Sequence, residues 1–196
     1  MVLYGASGHA KVVIDILEAN HIPIDYIVDD DTSITELLGY RVEHGCSVLE
    51  DAIVAVGSCQ LRKAITERIK VTNYLSVTHP TSIISPRASV GEGSVIMQGA
   101  IVQSCASIGN HCIVNTGASV GHDVKLSDFV HVAPRAVITG NVEVGECTWI
   151  GAGAVIKQGV KIGKNCMVGA GAVVIKDVSD GMTVVGNPAR ELIKSK

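Results

Sequence analysis

An aliphatic residue recurs at every sixth position through the second half of the chain. From Ile84 onward, sixteen successive positions at this interval are Ile, Val or Leu, and the next position is Asp180. The sixteen positions are Ile84, Val90, Ile96, Val102, Ile108, Val114, Val120, Leu126, Val132, Ile138, Val144, Ile150, Ile156, Ile162, Val168 and Val174. A fixed interval of this kind indicates a repeat architecture in which each unit packs on its neighbours.

A second position of the repeat lies four residues after each aliphatic and holds a small or β-branched residue. It includes Ala88, Ser94, Ala100, Ala106, Cys112, Ala118, Val124, Val130, Ala136, Val142, Thr148, Ala154, Val160, Cys166, Ala172 and Val178. The position directly after the aliphatic is often glycine, as in Gly91, Gly109, Gly121, Gly145, Gly151, Gly163 and Gly169. We predict a parallel β-helix of hexapeptide repeats. The aliphatic points inward, the small residue fills the corner, and the glycine allows the turn.

The length of one coil follows from the repeat. Three hexads form a prism with three flat faces, so a coil takes about 18 residues and sixteen hexads predict about five coils. Such an interior is too narrow for aromatic rings. The composition agrees with this, because the 196 residues are 47% hydrophobic but only 3% aromatic, and 21 of them are glycine.

Charge and hydropathy exclude other classes of protein. Only 18% of the residues are charged, which is too few for a disordered chain. A net charge of −3 gives no general attraction to nucleic acid or to anionic membranes. No apolar run reaches the roughly 20 residues of a membrane-spanning helix.

The cysteines and the start of the sequence bear on the cellular compartment. The six cysteines form no CxxC pair, and the first residues show neither a basic segment nor a long apolar one. We therefore read no signal peptide and expect free thiols and a cytoplasmic location.

Residues 1–79 show a different pattern. Short apolar strands are predicted at 1–4, 24–28 and 52–56, and amphipathic helices at 10–20 and 61–70. Alternation of strand and helix predicts a small Rossmann-like parallel sheet. We therefore expect an α/β domain over 1–79, the β-helix over 80–180, and a tail over 181–196 that caps its open end.

Three loops of the α/β domain are candidates for a ligand site. A glycine-rich turn over 5–9 joins the first strand to the first helix, where backbone N–H groups can hold a phosphate. Asp29 and Asp30 follow the second strand and can bind ribose hydroxyls or a base edge, and Gly57 follows the third strand. The carboxyl ends of parallel strands meet at one edge of the sheet, so these loops are predicted to converge. The alternative for the glycine-rich turn is a tight turn that binds no ligand. The alternative for the aspartates is an acidic turn exposed to solvent.

His9 lies at the start of the predicted first helix, within the glycine-rich turn. We expect this position to lower the pKa of its ring, so that it can contact a ligand in the neutral form.

Two histidines interrupt the repeat. His122 follows Gly121 at a predicted corner and precedes Asp123, whose carboxylate can orient the ring of a general base. His131 lies half a coil further on. The two rings therefore point to different sides of one prism, and a single reaction that uses both needs two subunits. This predicts a homotrimer with sites in the grooves between prisms.

Residues 18 apart are predicted to stack on neighbouring coils. Gly140 is then above His122, and Trp149 is above His131 on the outside of the prism.

These motifs make the chain similar to the bacterial sugar acetyltransferases of the hexapeptide superfamily. The resemblance rests on the turn over 5–9, Asp29-Asp30, Gly57, Gly121-His122-Asp123, and the Gly-Asn-Pro-Ala-Arg segment over 186–190. It is strongest to the N-acetyltransferases that act on UDP-4-amino-4,6-dideoxy sugars, as in bacillosamine synthesis. The sialic acid O-acetyltransferases share the layout. The resemblance implies a left-handed β-helix.

The resemblance also implies an activity. An acetyl group passes from acetyl-CoA, the co-substrate, to the 4-amino group of a nucleotide-linked sugar by direct attack, without a metal. His122 is the general base, and the acid after it strengthens that base. Close relatives often have Glu there, whereas this chain has the shorter Asp123. Gly140 is our candidate for a backbone oxyanion donor.

The implied contacts fall into two groups. Those to acetyl-CoA are His131, Ala152 and Ala170. The two alanines are 18 residues apart, so they are expected to line up on one side of the β-helix, as a groove for an extended pantetheine arm requires. Those to the nucleotide sugar are Ser7, Gly8, His9, Asp29, Asp30 and Gly57.

Three other functions stay open. The first is O-acetylation of sialic acid or a similar sugar. The second is a metal hydratase like the γ-type carbonic anhydrases, although the spacing of His111, His122 and His131 does not match a stacked ligand set. The third is a nucleotide-sugar-binding scaffold without catalysis. The nucleotide, whether UDP, dTDP or GDP, is also open.

Overall fold

The computed structural model describes residues 1–46 and 48–192. Over this part of the chain the N-terminal region contains six strands and two helices. These are β1 (Val2–Tyr4), α1 (Gly8–Ala19), β2 (Tyr26–Val28), β3 (Glu36–Leu37), β4 (Tyr40–Glu43), β5 (Val48–Val54), α2 (Cys59–Arg68) and β6 (Lys70–Tyr74). The strand order is β3-β4-β2-β1-β5-β6, and every pair is parallel except β3 with β4.

The three predicted strands and two predicted helices of this region are confirmed, with bounds that shift by a few residues. Strands β3, β4 and β6 were not predicted. They lie at or beside the edges of the sheet, and most of their residues are only partly buried or exposed. An edge strand of this kind has no continuous apolar run by which a sequence pattern can identify it.

The rest of the described chain coils into a parallel β-helix. Its strands are β7 (Val77–Thr78), β8 (Ile83–Ile84), β9 (Ser89–Val90), β10 (Val95–Ile96), β11 (Ile101–Val102), β12 (Ser107–Ile108), β13 (Ile113–Val114), β14 (Ser119–Val120), β15 (Lys125–Leu126), β16 (His131–Val132), β17 (Val137–Ile138), β18 (Glu143–Val144), β19 (Trp149–Ile150), β20 (Val155–Ile156), β21 (Lys161–Ile162), β22 (Met167–Val168), β23 (Val173–Val174) and β24 (Thr183–Val185). A last strand, β25 (Arg190–Glu191), pairs antiparallel with β24 after a turn over 186–189.

The strands form three flat sheets, which we call faces one, two and three. Face one contains β7, β10, β13, β16, β19, β22 and β24. Face two contains β8, β11, β14, β17, β20 and β23, and face three contains β9, β12, β15, β18 and β21. From β7 to β23 neighbouring strands pair residues 18 apart, such as Ile113 with His131, and only the last parallel pair, β22 with β24, has an interval of 16. The predicted coil length is therefore confirmed.

The interior of the β-helix is built from the two predicted repeat positions. From Ile96 to Val174, every sixth-position aliphatic is buried, and all of them belong to one continuous hydrophobic cluster. The corner residues, such as Ala118 and Ala136, are buried in the same cluster. Full burial of one Val, Ile or Leu side chain contributes about 1.5–3 kcal/mol, so the repeat itself supplies the main stabilisation.

The explanation that we gave for the repeat glycines is wrong. The left-handed backbone conformation occurs two residues after them, for example at Asp123 (φ 58°) rather than at Gly121. A Cβ on Gly121 would come within 2.8–2.9 Å of the backbone of Ile138, Thr139 and Gly140. Glycine is needed there because successive coils approach closely, and not because the chain turns.

The β-helix extends beyond the predicted limits of 80 and 180. Strand β7, which precedes residue 79, pairs with β10. Strand β24, which follows residue 180, pairs with β22. The α/β domain packs on the first coils of face one. Residues of α1, including Val13 and Leu17, form one hydrophobic cluster with Val95 and Ile113.

All six cysteine thiols are free. Among the described residues, no helix combines the length and the apolar character that crossing a membrane demands.

Candidate active site

His122 and Asp123 form a hydrogen-bonded pair at the corner between faces two and three. The Nδ1 of His122 lies 2.7 Å from Oδ2 of Asp123, and each side chain is about half exposed (51% and 52%). The left-handed φ of Asp123 belongs to the corner turn, and its N–H donates to the carbonyl of Ser104 on the preceding coil. With the Nδ1 proton directed to the carboxylate, Nε2 keeps its lone pair, as a general base requires.

Gly140 lies above the His122 ring on the next coil, as predicted. A Cβ at this position would come within 2.5 Å of Nε2 and Cε1 of His122. In the described part of the chain, no hydrogen bond uses the backbone N–H of Gly140. The corner therefore combines a histidine, the residue type most often used as a general base, with a backbone N–H that is not engaged elsewhere.

His122 also borders an open groove along face two. The groove encloses about 410 Å³, and its lining includes Ile83, Ile101, Gln103 and Ser104.

His131 is buried where face one meets the α/β domain. The residue is only 3% exposed. Its ring centroid lies 4.0 Å from that of Trp149, which confirms the predicted stacking. Nδ1 lies 3.1 Å from the carbonyl oxygen of Gly57, and Nε2 lies 3.1 Å from Nδ2 of Asn115. Burial lowers the pKa of His131 to about 3, and the charge of Arg62 adds to this effect.

His9 lies beside this ring, with a centroid distance of 6.2 Å. Its pKa falls to about 4, primarily because the ring is buried and secondarily because of the Arg62 charge. The lowered pKa was predicted, but burial rather than the helix start causes it.

A pocket of about 340 Å³ opens at the carboxyl ends of β1, β2 and β5. Its lining consists of Tyr4, Gly5, Ser7, Asp29, Asp30, Val56, Leu61, Ala64, Ile65 and Arg68. The three loops therefore converge as predicted. The wall from α2 is largely apolar, and the opposite end is polar, which suits a ligand with a flat ring and a hydrogen-bonding edge.

The two aspartates of the pocket have different surroundings. Asp29 accepts hydrogen bonds from the N–H groups of Ala6 (2.6 Å) and Asp31 (2.8 Å), so it holds the glycine-rich turn in place. Asp30 accepts from the Tyr4 hydroxyl (2.8 Å) and from Arg68 Nη2 (2.7 Å). Partial burial opposes ionisation of Asp30, but these two bonds hold its pKa below the ordinary value.

The remaining predicted site residues separate into four places. Ser7, Asp29 and Asp30 line the pocket, whereas His9 and Gly57 lie next to His131. Gly8 is exposed at the first turn of α1. Ala152 and Ala170 are exposed at successive corners between faces one and two, where the Gly171 N–H donates to the Ala152 carbonyl (2.8 Å).

Sequence reasoning missed Arg62, Arg68 and Tyr4. The two arginines look like ordinary charged residues of an amphipathic helix, and Tyr4 looks like a core residue of a strand. Their partners are distant in the sequence, so no local pattern identifies them.

The three histidines of the metal-hydratase alternative do not meet. His111 stacks on Phe129 (5.1 Å between centroids), His131 contacts Trp149, and His122 faces Asp123. Across residues 1–46 and 48–192, no group of three or more His, Cys, Asp or Glu side chains is arranged to hold a metal ion.

Family models match both regions of the chain. Residues 1–69 match the PglD N-terminal domain, and residues 141–176 match the bacterial transferase hexapeptide (six repeats). The hexapeptide repeats fit a left-handed β-helix. A search of curated protein sequences finds no significant match.

Solved structures match over nearly the full length. A mutant of perosamine N-acetyltransferase from Caulobacter crescentus, in complex with CoA and GDP-perosamine, is 33% identical, with 98% of this chain and 96% of that chain covered and a TM-score of 0.92. The acetyltransferase domain of PglB from Neisseria gonorrhoeae FA1090 is 36% identical (97% and 98% covered, TM-score 0.88), and its complex with acetyl coenzyme A matches equally well. WeeI from Acinetobacter baumannii AYE is 32% identical (97% and 98% covered, TM-score 0.88). The chain therefore belongs to the hexapeptide-repeat sugar N-acetyltransferases, which take their acetyl group from acetyl-CoA.

Proposed function

We propose that this enzyme acetylates the 4-amino group of a nucleotide-linked 4-amino-4,6-dideoxy sugar, with His122 as the general base. The observation that supports this most strongly is the His122–Asp123 pair beneath Gly140. In this pair an exposed imidazole lies beside a carboxylate that can orient it and below a backbone N–H that has no other hydrogen-bond partner in the described chain.

The proposed chemistry is a direct transfer. Nε2 of His122 takes a proton from the sugar amine as its nitrogen attacks the thioester carbon, and the Gly140 N–H stabilises the oxyanion. When the C–S bond breaks, His122 returns the proton to the leaving thiolate. Asp123 keeps the ring oriented and stabilises its cationic form during the transfer.

The nucleotide sugar is proposed to bind at the pocket between β1, β2, β5 and α2. Ser7, Asp29 and Asp30 support this placement because they line that pocket, and Gly8 lies at the adjoining helix start. His9 and Gly57 extend the site toward His131. We assign acetyl-CoA to His131, Ala152 and Ala170, since the two alanines leave a shallow aligned path along one corner.

We further propose a homotrimer, and face two supports it. The outward residues of face two are Ile83, Ile101, Ser119, Val137, Val155 and Val173. Ile83 is 64% exposed in the single chain. The outward residues of face three, by contrast, are Ser89, Ser107, Lys125, Glu143 and Lys161. An apolar column of this length is suited to a neighbouring copy of the chain.

The trimer would also complete the site. His122 lies at one edge of face two, and Ala152 and Ala170 lie at the other edge. A groove between two prisms would bring the base of one subunit next to the acetyl-CoA path of its neighbour.

The nucleotide and the acceptor group can be tested together. UDP-, dTDP- and GDP-linked 4-amino sugars are incubated with acetyl-CoA, beside matched sugars that have only a hydroxyl at C4, and release of the CoA thiol is followed. We expect turnover with an amino sugar, with UDP as the preferred nucleotide. Turnover of the hydroxyl sugars alone, or binding without turnover of any sugar, would contradict the proposal.

A further inference from the structure

Helix α2 separates the nucleotide pocket from the β-helix. One side of the helix lines the pocket with Leu61, Ala64, Ile65 and Arg68. The other side contacts the β-helix, where Lys63 Nζ lies 2.6 Å from Glu146 Oε1 and the side chain of Arg62 enters the interface. The same helix therefore contacts both the pocket and the β-helix.

Arg62 is the only arginine among the described residues that is fully buried, with 0% of its surface exposed. Its guanidinium donates to four main-chain carbonyls. They are those of Val56 (2.8 Å), Gly57 (3.0 Å), His111 (2.8 Å) and Phe129 (2.9 Å). Two belong to the loop after β5 and two to the β-helix, so the side chain joins the two regions.

This arginine has no carboxylate partner among the described residues, where every acceptor of its hydrogen bonds is a neutral carbonyl. Burial of an unpaired cation is costly, and an apolar side chain of similar volume would avoid that cost. The geometry around Gly57 indicates what the charge does there.

The Gly57 carbonyl accepts two hydrogen bonds, one from Arg62 Nη1 (3.0 Å) and one from Nδ1 of His131 (3.1 Å). A carbonyl oxygen can only accept, so this contact requires the His131 proton on Nδ1. Nε2 is then the acceptor for the Asn115 amide (3.1 Å). The tautomer of His131 therefore depends on where the Gly57 carbonyl is held.

We propose that Arg62 is a positioning residue for acetyl transfer, which fixes the Gly57 carbonyl and thereby holds His131 as the Nδ1–H tautomer with Nε2 as an acceptor. The inference rests on the proposed placement of His131 in the acetyl-CoA site. Because α2 also lines the nucleotide pocket, Arg62 connects that pocket to the orientation of the His131 ring.

The test combines NMR with kinetics in the full-length protein. Long-range ¹H–¹⁵N correlation spectra report which nitrogen of His131 is protonated in the wild type, Arg62→Lys and Arg62→Met. The matched control is Lys63→Met, which removes a neighbouring cation of α2 and its contact to Glu146 but does not touch Gly57. Steady-state acetyl transfer is measured for all four proteins.

We expect the wild type and Lys63→Met to show the Nδ1–H tautomer and the same kcat. In Arg62→Lys and Arg62→Met the Nδ1–H preference should be lost. Their kcat should fall by at least about tenfold, with KM for the nucleotide sugar changed less than about twofold, because small displacements of a positioning group act on the chemical step.

Several results would overturn the proposal. An Nε2–H tautomer in the wild type, or an unchanged tautomer in folded Arg62 variants, would exclude the link through Gly57. If circular dichroism shows both variants unfolded, Arg62 serves stability alone. A changed tautomer with unchanged acetyl transfer would show that Arg62 sets the tautomer of His131 but is not a positioning residue for acetyl transfer. The error would then lie in the placement of His131 under the proposed function.

Discussion

Gly140 lies directly over the imidazole of His122, one coil further along the β-helix, and a Cβ on it would come within 2.5 Å of Nε2 and Cε1. Gly140→Ala should therefore displace the ring from its place beside Asp123. We expect kcat to fall by about 100-fold, since a misplacement of about 1 Å has an effect of that size. The measurement is release of the CoA thiol under saturating substrates.

The control for this substitution is Gly163→Ala. A Cβ there would also collide, in this case with Asp180, but at a different corner and away from His122. It should lower the thermal stability without a comparable loss of kcat in the protein that stays folded. Equal losses of activity in both variants would show that Gly140 acts through general packing.

Asp123→Asn tests the orienting carboxylate. Asparagine tolerates the left-handed conformation at this position (φ 58°), so the backbone should be preserved. The amide cannot stabilise the cationic ring, and we expect kcat to fall by about 10- to 100-fold with little change in KM. Wild-type kcat in this variant would show that the hydrogen bond to His122 has no role in the reaction.

Ile101→Glu tests the subunit interface. The residue lies in the outward column of face two, and a buried carboxylate in an apolar interface is strongly unfavourable. Sedimentation should show a trimer for the wild type and a smaller species for the variant, with loss of acetyl transfer. Ser107→Glu on the polar face three is the matched control and should remain a trimer. A wild-type monomer with full activity would contradict the trimer.

The stability of the fold should fall as the pH falls below neutrality. His9 and His111 have pKa values near 4, and His131 near 3, in each case mainly because burial disfavours the charged ring. The unfolded chain takes up these protons near the ordinary pKa of 6.5. The stabilisation that depends on neutral rings is therefore fully present above pH 6.5 and is lost as the pH falls toward 4. Each ring contributes roughly 3 kcal/mol to this decline. Urea unfolding at a series of pH values measures the slope.

His111→Phe should reduce that slope. In the described chain Nδ1 of His111 is buried without a hydrogen-bond partner, and its ring packs between Phe129 and Tyr74. Phe129 occupies the equivalent place one coil further on, with the same left-handed backbone. The apolar replacement should thus fold. An undiminished pH slope would mean that other groups cause the acid sensitivity.

Repeat arithmetic predicted the most regular parts of the molecule. The interval of six identified the interior of the β-helix, and the interval of 18 placed Gly140 over His122 and Trp149 over His131. Both follow from a coil of constant length. The same reasoning misjudged Gly121, because the pattern shows where a glycine occurs but not whether the turn or the next coil requires it.

The contacts between the two regions could not be predicted. Arg62 meets His111 and Phe129 across about 50 to 70 residues of sequence, and Arg68 meets Asp30 across α2 and the sheet. Such contacts depend on how the α/β domain docks on face one, which no local pattern specifies. The cause of the lowered pKa of His9 could not be predicted for the same reason, because the ring is buried beside His131 of the β-helix.

The most direct test of the account is the acetyl transfer activity of His122→Asn, measured by release of the CoA thiol with a nucleotide-linked 4-amino sugar. Binding of the nucleotide sugar, followed by calorimetry, serves as the control for an intact pocket. The account predicts that the variant binds the sugar as the wild type does and loses at least about 100-fold in kcat. Wild-type turnover by a folded His122→Asn protein would contradict the assignment of His122 as the general base.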